Sequence, residues 1–306
     1  MAAKLTTRGT ISLQNGVVNY LFRRSTKYAV ESVSSALSPQ ISHIPPVVLI
    51  GGTAQTINSL LGHHGHLANN SNYGLLHYEL RGQGRTTTLP LDDCSLKRHV
   101  EDFDAVLESN EEFTDRNGQV DLCGFSFGGR VALAIAAERP EKVRRIVCTG
   151  VPSNRGATGR IILQSWLKSL SRGDLEEFLW QSMSDGHSQT FLNRHESRLY
   201  GWVKAAAESN RTEAIKGLVG QTHTDDLNDP WHTVNLANRA LKGGLGEEDA
   251  LFLVGDQDRL ATVEQCNALA ELGGWRCETI YGSGHALPIE QPVKWRSAVM
   301  AHFASN

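Results

Sequence analysis

The chain of 306 residues lacks an excess of charge of either sign. Thirty Lys and Arg stand against 33 Asp and Glu, a formal net charge of -3. Without a basic surplus, nucleic acid is not an expected partner, and no run of like charge marks an interaction tail. Long apolar runs are also missing. The longest unbroken one, Val131–Ala137, has seven residues, where a bilayer span needs roughly 20, so no membrane span is expected. Cysteine is scarce and scattered. Cys94, Cys123, Cys148, Cys266 and Cys277 are an odd set with no C-x-x-C pair. That argues against a disulfide framework or zinc site and fits a reducing, cytoplasmic setting. The first residues lack the apolar core of a signal peptide. Asp and Glu are absent before Glu31, an organelle-targeting cue, but strand-like sequence begins so early that little is left to cleave. Internal repeats and low-complexity tracts are absent.

What remains is globular: 40 % of residues are apolar and 21 % charged. The opening reads as a hairpin, Thr10–Leu13 and Val17–Phe22 around an Asn15-Gly16 turn. Residues 23–45 are polar and Ser-rich, too long for an ordinary connection, and are expected to be an exposed loop or insertion. Val47–Ile50 is all apolar and halted by Gly51-Gly52, the pattern of a strand buried on both faces of a parallel sheet. Strand and helix patterns then alternate. Strands are expected at Leu75–Leu80, Val120–Cys123, Val143–Cys148, Ala250–Val254 and Arg276–Ile280. Helices are expected over Ser95–Ser109 and Phe127–Ala137, after the capping pair Thr262 and Gln265, and over Pro292–Phe303. Such alternation predicts an α/β fold, a mostly parallel sheet with helices on both faces. Residues 152–248 break the rhythm. They hold Trp166, Phe178, Trp180, Trp202 and Trp231 and predict an inserted helical cap. The expected domains are a core of 1–151 and 249–306 with a cap of 152–248.

Gly124-Phe125-Ser126-Phe127-Gly128 follows one predicted strand and opens one predicted helix. In that context G-x-S-x-G places a serine on a sharp turn with its hydroxyl exposed, and the glycines remove side chains that would clash. The same five residues without that placement would be only a glycine-rich turn.

Four blocks carry a resemblance to the α/β-hydrolase superfamily over nearly the whole chain: Val47–Thr53, Glu79–Thr86, Val120–Leu133 and Arg139–Val147. The first is similar to that family's strand and oxyanion loop, although many members have His-Gly where this chain has Gly51-Gly52. The second is similar to its Asp-x-Arg-Gly-x-Gly-x-Ser block, and the third to its nucleophile elbow. The family order is nucleophile, acid, histidine. Ser126 fills the first place. His285, in Gly284-His285 just after the last strand, fills the third. The loop Gly255-Asp256-Gln257-Asp258 offers two acids, and the family's register selects Asp258. Asp256 is the rival, or a turn cap. The resemblance further implies an oxyanion hole of the Thr53 and Phe127 amides. Gly52, Phe125 and Arg130 are the expected substrate contacts, one of the two phenylalanines lining the site and the other packing.

The implied activity is a serine hydrolase acting on a small-to-medium, fairly apolar carboxylic ester or thioester, with no cofactor, a small-molecule substrate as partner, and a monomeric or homodimeric state. Acyl transfer and carbon–carbon hydrolysis would use the same residues. Ser126-Phe127-Gly128-Gly129-Arg130 is also similar to the elbow of the menaquinone-pathway synthase, a lyase that eliminates pyruvate and in which this arginine helps bind carboxylates. A non-catalytic receptor on the same fold is a third reading. Gly62-His63-His64-Gly65-His66 lacks acidic or Cys partners, so a solvated helix end is expected rather than a metal site. Arg81-Gly82-Gln83-Gly84 reads as a structural turn.

Overall fold

A computed structural model describes residues 6–26, 45–70, 74–110, 113–115, 117–222 and 226–305. Among these, nine strands form one sheet: β1 Thr6–Leu13, β2 Gly16–Arg24, β3 Val47–Ile50, β4 Gly74–Tyr78, β5 Thr87–Thr88, β6 Val120–Phe125, β7 Val143–Thr149, β8 Ala250–Gly255 and β9 Arg276–Ile280. Their order is β1-β2-β4-β3-β6-β7-β8-β9, with the short β5 beside β2. Pairings from β4 through β9 are parallel, whereas β1, β2 and β5 join antiparallel.

Eleven α-helices accompany the sheet among the described residues: α1 Leu61–Asn70, α2 Leu96–Glu108, α3 Phe127–Glu138, α4 Ala157–Ser171, α5 Leu175–Gly186, α6 Gln189–Ser209, α7 Thr212–Thr222, α8 Thr233–Lys242, α9 Val263–Glu271, α10 Leu287–Glu290 and α11 Pro292–Ala304.

Every residue of β3, β6 and β8 is buried, as their largely apolar runs require, and the one charge among them, Asp121 of β6, is paired with Arg144. Alternate side chains point to opposite faces. Val48, Ile50 and Leu122 enter the apolar cluster beneath α2, α3 and α8. Val47, Leu49 and Cys123 enter the cluster on the other face, with Trp295, Val299 and Phe303 of α11. Fully burying such a side chain contributes about 1.5–3 kcal/mol. The first cluster continues upward through Leu163, Trp166, Phe178 and Val219, so α4, α5 and α7 share one core with the sheet.

Local signals position several elements. Ser95 caps α2, accepting from Arg98 N, and Thr262 with Gln265 forms the capping box of α9. The hairpin differs by one residue from the expected turn. Leu13 pairs with Gly16, so Gln14-Asn15 is the loop. Asn15 is held there by Leu89, whose N–H it accepts at 3.0 Å and whose carbonyl its side-chain amide meets. β2 runs on to Arg24, into the expected long connection. Residues 27–44 of that connection lie outside the described residues.

The histidine cluster also differs. His63 and His64 are buried within α1 rather than solvated at a helix end. His64 Nε2 and His77 Nδ1 of β4 lie 2.9 Å apart, and His63 packs edge-on against Trp295. α1 is packed between β4 and α11, which places His64 against His77 and His63 against Trp295, away from solvent. The Arg81 turn is structural: Arg81 Nη2 donates to Asp102 at 2.8 Å, and Glu79 accepts from Ile57 N and Arg85 N.

Candidate functional site

Ser126 lies at the junction of β6 and α3, with φ 53° and ψ -118°. This left-handed conformation is disfavoured for a residue with a side chain, by about 1–3 kcal/mol. The surroundings enforce it. Ser126 N donates to Thr149 O at 2.7 Å. A Cβ on Gly128 would lie 2.3 Å from Ile50 O, and one on Gly124 2.4 Å from Gly128 O. Only bare backbone lets α3 descend this close to β3 and turn the chain. Ser126 therefore stands at the N-terminus of a buried helix, where the backbone dipole favours negative charge.

His285 comes from the loop between β9 and α10, and Asp258 from the loop after β8. His285 Nε2 is 2.8 Å from Ser126 Oγ, and His285 Nδ1 is 2.7 Å from Asp258 Oδ2. Asp258 Oδ1 accepts from Leu260 N and Ala261 N, each at 2.8 Å, which fixes the carboxylate. The rival Asp256 faces elsewhere. Its Oδ1 accepts from Gly282 N at 2.7 Å and Ser283 N at 3.1 Å, tying the β8 loop to the histidine loop.

Ser126 and His285 open onto a cavity of about 570 Å³. Its floor includes Thr53 and Phe125; α4, α5, α6 and α7 roof it through Leu163, Phe178, Trp202 and Val219. Phe125 lines the cavity 5.4 Å from the His285 ring, while Phe127 packs on His99 in the core. A turn links Gly52 to Gln55 and presents Thr53 to the cavity: Gly52 N donates to Gln55 Oε1 at 2.8 Å, and Gln55 N to Gly52 O at 3.2 Å.

Two expected substrate contacts are not among the residues lining the cavity. Gly52 is outside the cavity lining: its amide is taken by Gln55, and a Cβ there would lie 3.1 Å from the Phe125 ring and 3.2 Å from Ser126 Cβ. Arg130 is buried outside the cavity, where it donates to Gln221 O at 2.5 Å and Trp231 O at 3.2 Å. Its position one turn into α3 aims it sideways at the end of α7, not up at Ser126.

Three contributors carry no motif. Gly150 ends β7 at φ 66°, and a Cβ there would lie 2.9 Å from His285 Cε1. A glycine directly after a predicted strand was the available signal. Glu290 is buried and accepts from Gly284 N at 2.9 Å and Ser188 N at 3.0 Å. Burial raises its carboxyl pKa, and these bonds oppose the rise. His187 lines the cavity, its pKa held down at about 4 chiefly by burial. No sequence pattern links 187 to 285; only folding brings them together.

Cys123 and Cys148 are buried, and burial pushes both thiols well above their usual range, which makes them inert packing groups. No helix among the described residues is long and apolar enough to cross a membrane.

The fold and the sequence have recognisable relatives. In structure the chain is similar to MGS-M2, an alpha/beta hydrolase enzyme from a Medee basin deep-sea metagenome library, with TM-score 0.75 at 17% identity over 97% of this chain and 98% of that one. It is similar to the enol-lactonase from Burkholderia xenovorans LB400, with TM-score 0.75 at 14% identity over 97% of this chain and 100% of the other. It also resembles a thermophilic esterase from Thermogutta terrifontis, with TM-score 0.71 at 15% identity over 96% and 97% of the two chains. No curated protein matches the sequence. The sequence model of the Alpha/beta hydrolase family matches residues 47–298, a span that includes the Ser126 turn, both acidic candidates and His285, and the chain belongs to that family.

Proposed function

We propose that this chain is a serine hydrolase that cleaves a small-to-medium carboxylic ester or thioester with an apolar acyl part, through an acyl-enzyme on Ser126. The observation that carries the proposal is the continuous chain Ser126 Oγ, His285 Nε2, His285 Nδ1, Asp258 Oδ2, with links of 2.8 and 2.7 Å, opening on a cavity of about 570 Å³. A serine hydroxyl is a weak nucleophile until a base takes its proton, and that base needs a fixed orientation.

In the proposed mechanism Ser126 Oγ attacks the carbonyl carbon as its proton passes to His285 Nε2. Asp258 accepts the Nδ1 hydrogen and stabilises the imidazolium. The Thr53 and Phe127 amides hold the tetrahedral oxyanion, each such donor contributing about 2.7–4 kcal/mol. His285 then gives its proton to the leaving oxygen or sulfur. Water, deprotonated by the same nitrogen, attacks the acyl carbon and frees Ser126. Leu163, Phe178, Leu179 and Met183 favour an apolar acyl group, and residues 152–248 act as the cap that excludes water. Five free cysteines suit a cytoplasmic setting. The names of two structural neighbours, an enol-lactonase and an esterase, agree with ester chemistry.

A fluorophosphonate probe tests the reading. Ser126 of the folded protein becomes phosphonylated, and the Ser126→Ala variant neither labels nor turns over nitrophenyl esters. An unlabelled wild type, or biological activity that survives Ser126→Ala, defeats it. The second of these results would favour a receptor.

A further inference from the structure

The cavity wall next to His285 is built by residues almost a hundred positions away. Ala286 N donates to Gly186 O at 2.9 Å. Ser188 N and Gly284 N donate to the two carboxylate oxygens of Glu290, at 3.0 and 2.9 Å. These bonds clamp residues 186–188 against both chain neighbours of His285. His187 thus stands beside the proposed base by construction.

The state of the His187 ring follows from its partners. Nδ1 lies 3.1 Å from Met183 O. A carbonyl can only accept, so Nδ1 carries the hydrogen and Nε2 keeps a lone pair. Stacking on Phe191, at 5.1 Å and 19°, holds the ring plane. Burial, aided by the nearby His285, depresses the pKa to about 4, against the Met183 bond, so the ring is neutral near pH 7. His187 lines the cavity as an oriented, uncharged acceptor.

Proton delivery sets which part of a substrate meets it. His285 Nε2 must reach the leaving oxygen, so the leaving group lies against His285, next to His187. No carboxylate lines the cavity among the described residues, so an ammonium group there would be buried without a counter-charge. A neutral hydroxyl needs none. Resting on the serine-hydrolase reading, we infer that His187 is a specificity residue that accepts a hydrogen bond from a second hydroxyl on the leaving alcohol. The preferred substrates are then monoesters of diols or polyols, their apolar acyl chain under α4 and α5.

Three esters of one medium-chain acid test this: n-propyl, 2-hydroxyethyl and 2-methoxyethyl. The first two have nearly equal size, and the third keeps the oxygen but loses the donor. Wild type should favour the 2-hydroxyethyl ester over both others by about tenfold in kcat/KM, the worth of one hydrogen bond. His187→Phe keeps a stacked ring and should lose the preference; His187→Gln, which retains an acceptor oxygen, should keep part of it. Equal turnover of hydroxyethyl and methoxyethyl esters by wild type overturns the inference without any variant. So does an unchanged preference in His187→Phe. Turnover of none of the three, with Ser126 unlabelled, defeats the serine-hydrolase reading itself, which separates the two failures.

Discussion

The turn that bears Ser126 and the helices that roof it are built by opposite rules. Around the turn, backbone lies against backbone, and every residue of β3, β6 and β8 is buried. In the roof, α6 buries only Phe191 and Val203 of its 21 residues. Ile161 and Tyr200 stay 70% and 64% exposed. The turn depends on atoms that must be missing. The roof depends on a few large side chains being present. One region fixes where Ser126 sits. The other sets the shape of the space above it and tolerates change almost anywhere its side chains face out.

Substitutions in each region should separate these rules. The largest effect is expected at the acid. Asp258→Asn keeps an acceptor for Leu260 N and Ala261 N but presents an amide to His285, favouring the wrong tautomer, and should lower kcat by about 10⁴-fold. Asp256→Asn retains an oxygen for Gly282 N and Ser283 N and should stay close to wild type in the same ester assay. Reversed outcomes would make Asp256 the functional acid.

Next comes Gly128→Ala. Its methyl would meet Ile50 O and Gly51 O at 2.3 and 2.4 Å, and neither backbone atom can swing aside. A loss of about 4 kcal/mol, read by denaturant unfolding, is expected together with lost ester turnover.

Phe178→Ala in the roof should cost about 3 kcal/mol as a buried aromatic truncation. Unlike the turn variant, it should leave Ser126 open to the fluorophosphonate and shift the preferred acyl chain to longer lengths. Equal loss of labelling in both variants would erase the contrast between the regions.

The smallest effects per residue concern pH. His63, His64 and His302 are held at about 4, first of all by burial, and His77 well below its usual value for the same reason. In the unfolded chain these rings titrate near 6.5. Between those values the unfolded state binds more protons, so stability rises with pH from about 4 to 6.5 and falls on acidification. Each ring should cost on the order of 1 kcal/mol by pH 5.5. Melting temperature followed from pH 7.5 to 5 checks this, and His64→Gln should flatten the slope. These rings lie on the sheet side, so acid should loosen the support of the turn as a whole and not the roof alone.

Much of the sheet was legible because its signals are local. The all-apolar run Val47–Ile50, halted by two glycines, stands as a strand buried on both faces, and the mixed Arg276–Ile280 stands as the half-exposed strand at the sheet edge. Thr262 with Gln265 marked a helix start through bonds spanning three residues. The hairpin turn slipped by one position because Asn15 answers to Leu89, 74 residues on. His63 and His64 look like surface residues until α1 is laid between Trp295 and His77.

The chain order of serine, acid and histidine, and the glycines that let Ser126 turn, were present in the sequence itself, since a strand-to-helix bend needs small residues at set offsets. The register of the loop already favoured Asp258, and tertiary structure gave the two acids their separate partners, directing Asp258 to His285 and Asp256 to the neighbouring loop. It alone turned Arg130 toward the end of α7, brought His187 to the cavity and set Glu290 behind it as a clamp on Ser188 and Gly284. Those outcomes depend on where helices from distant parts of the chain come to rest, and close packing, unlike a turn or a cap, leaves no mark at fixed spacing.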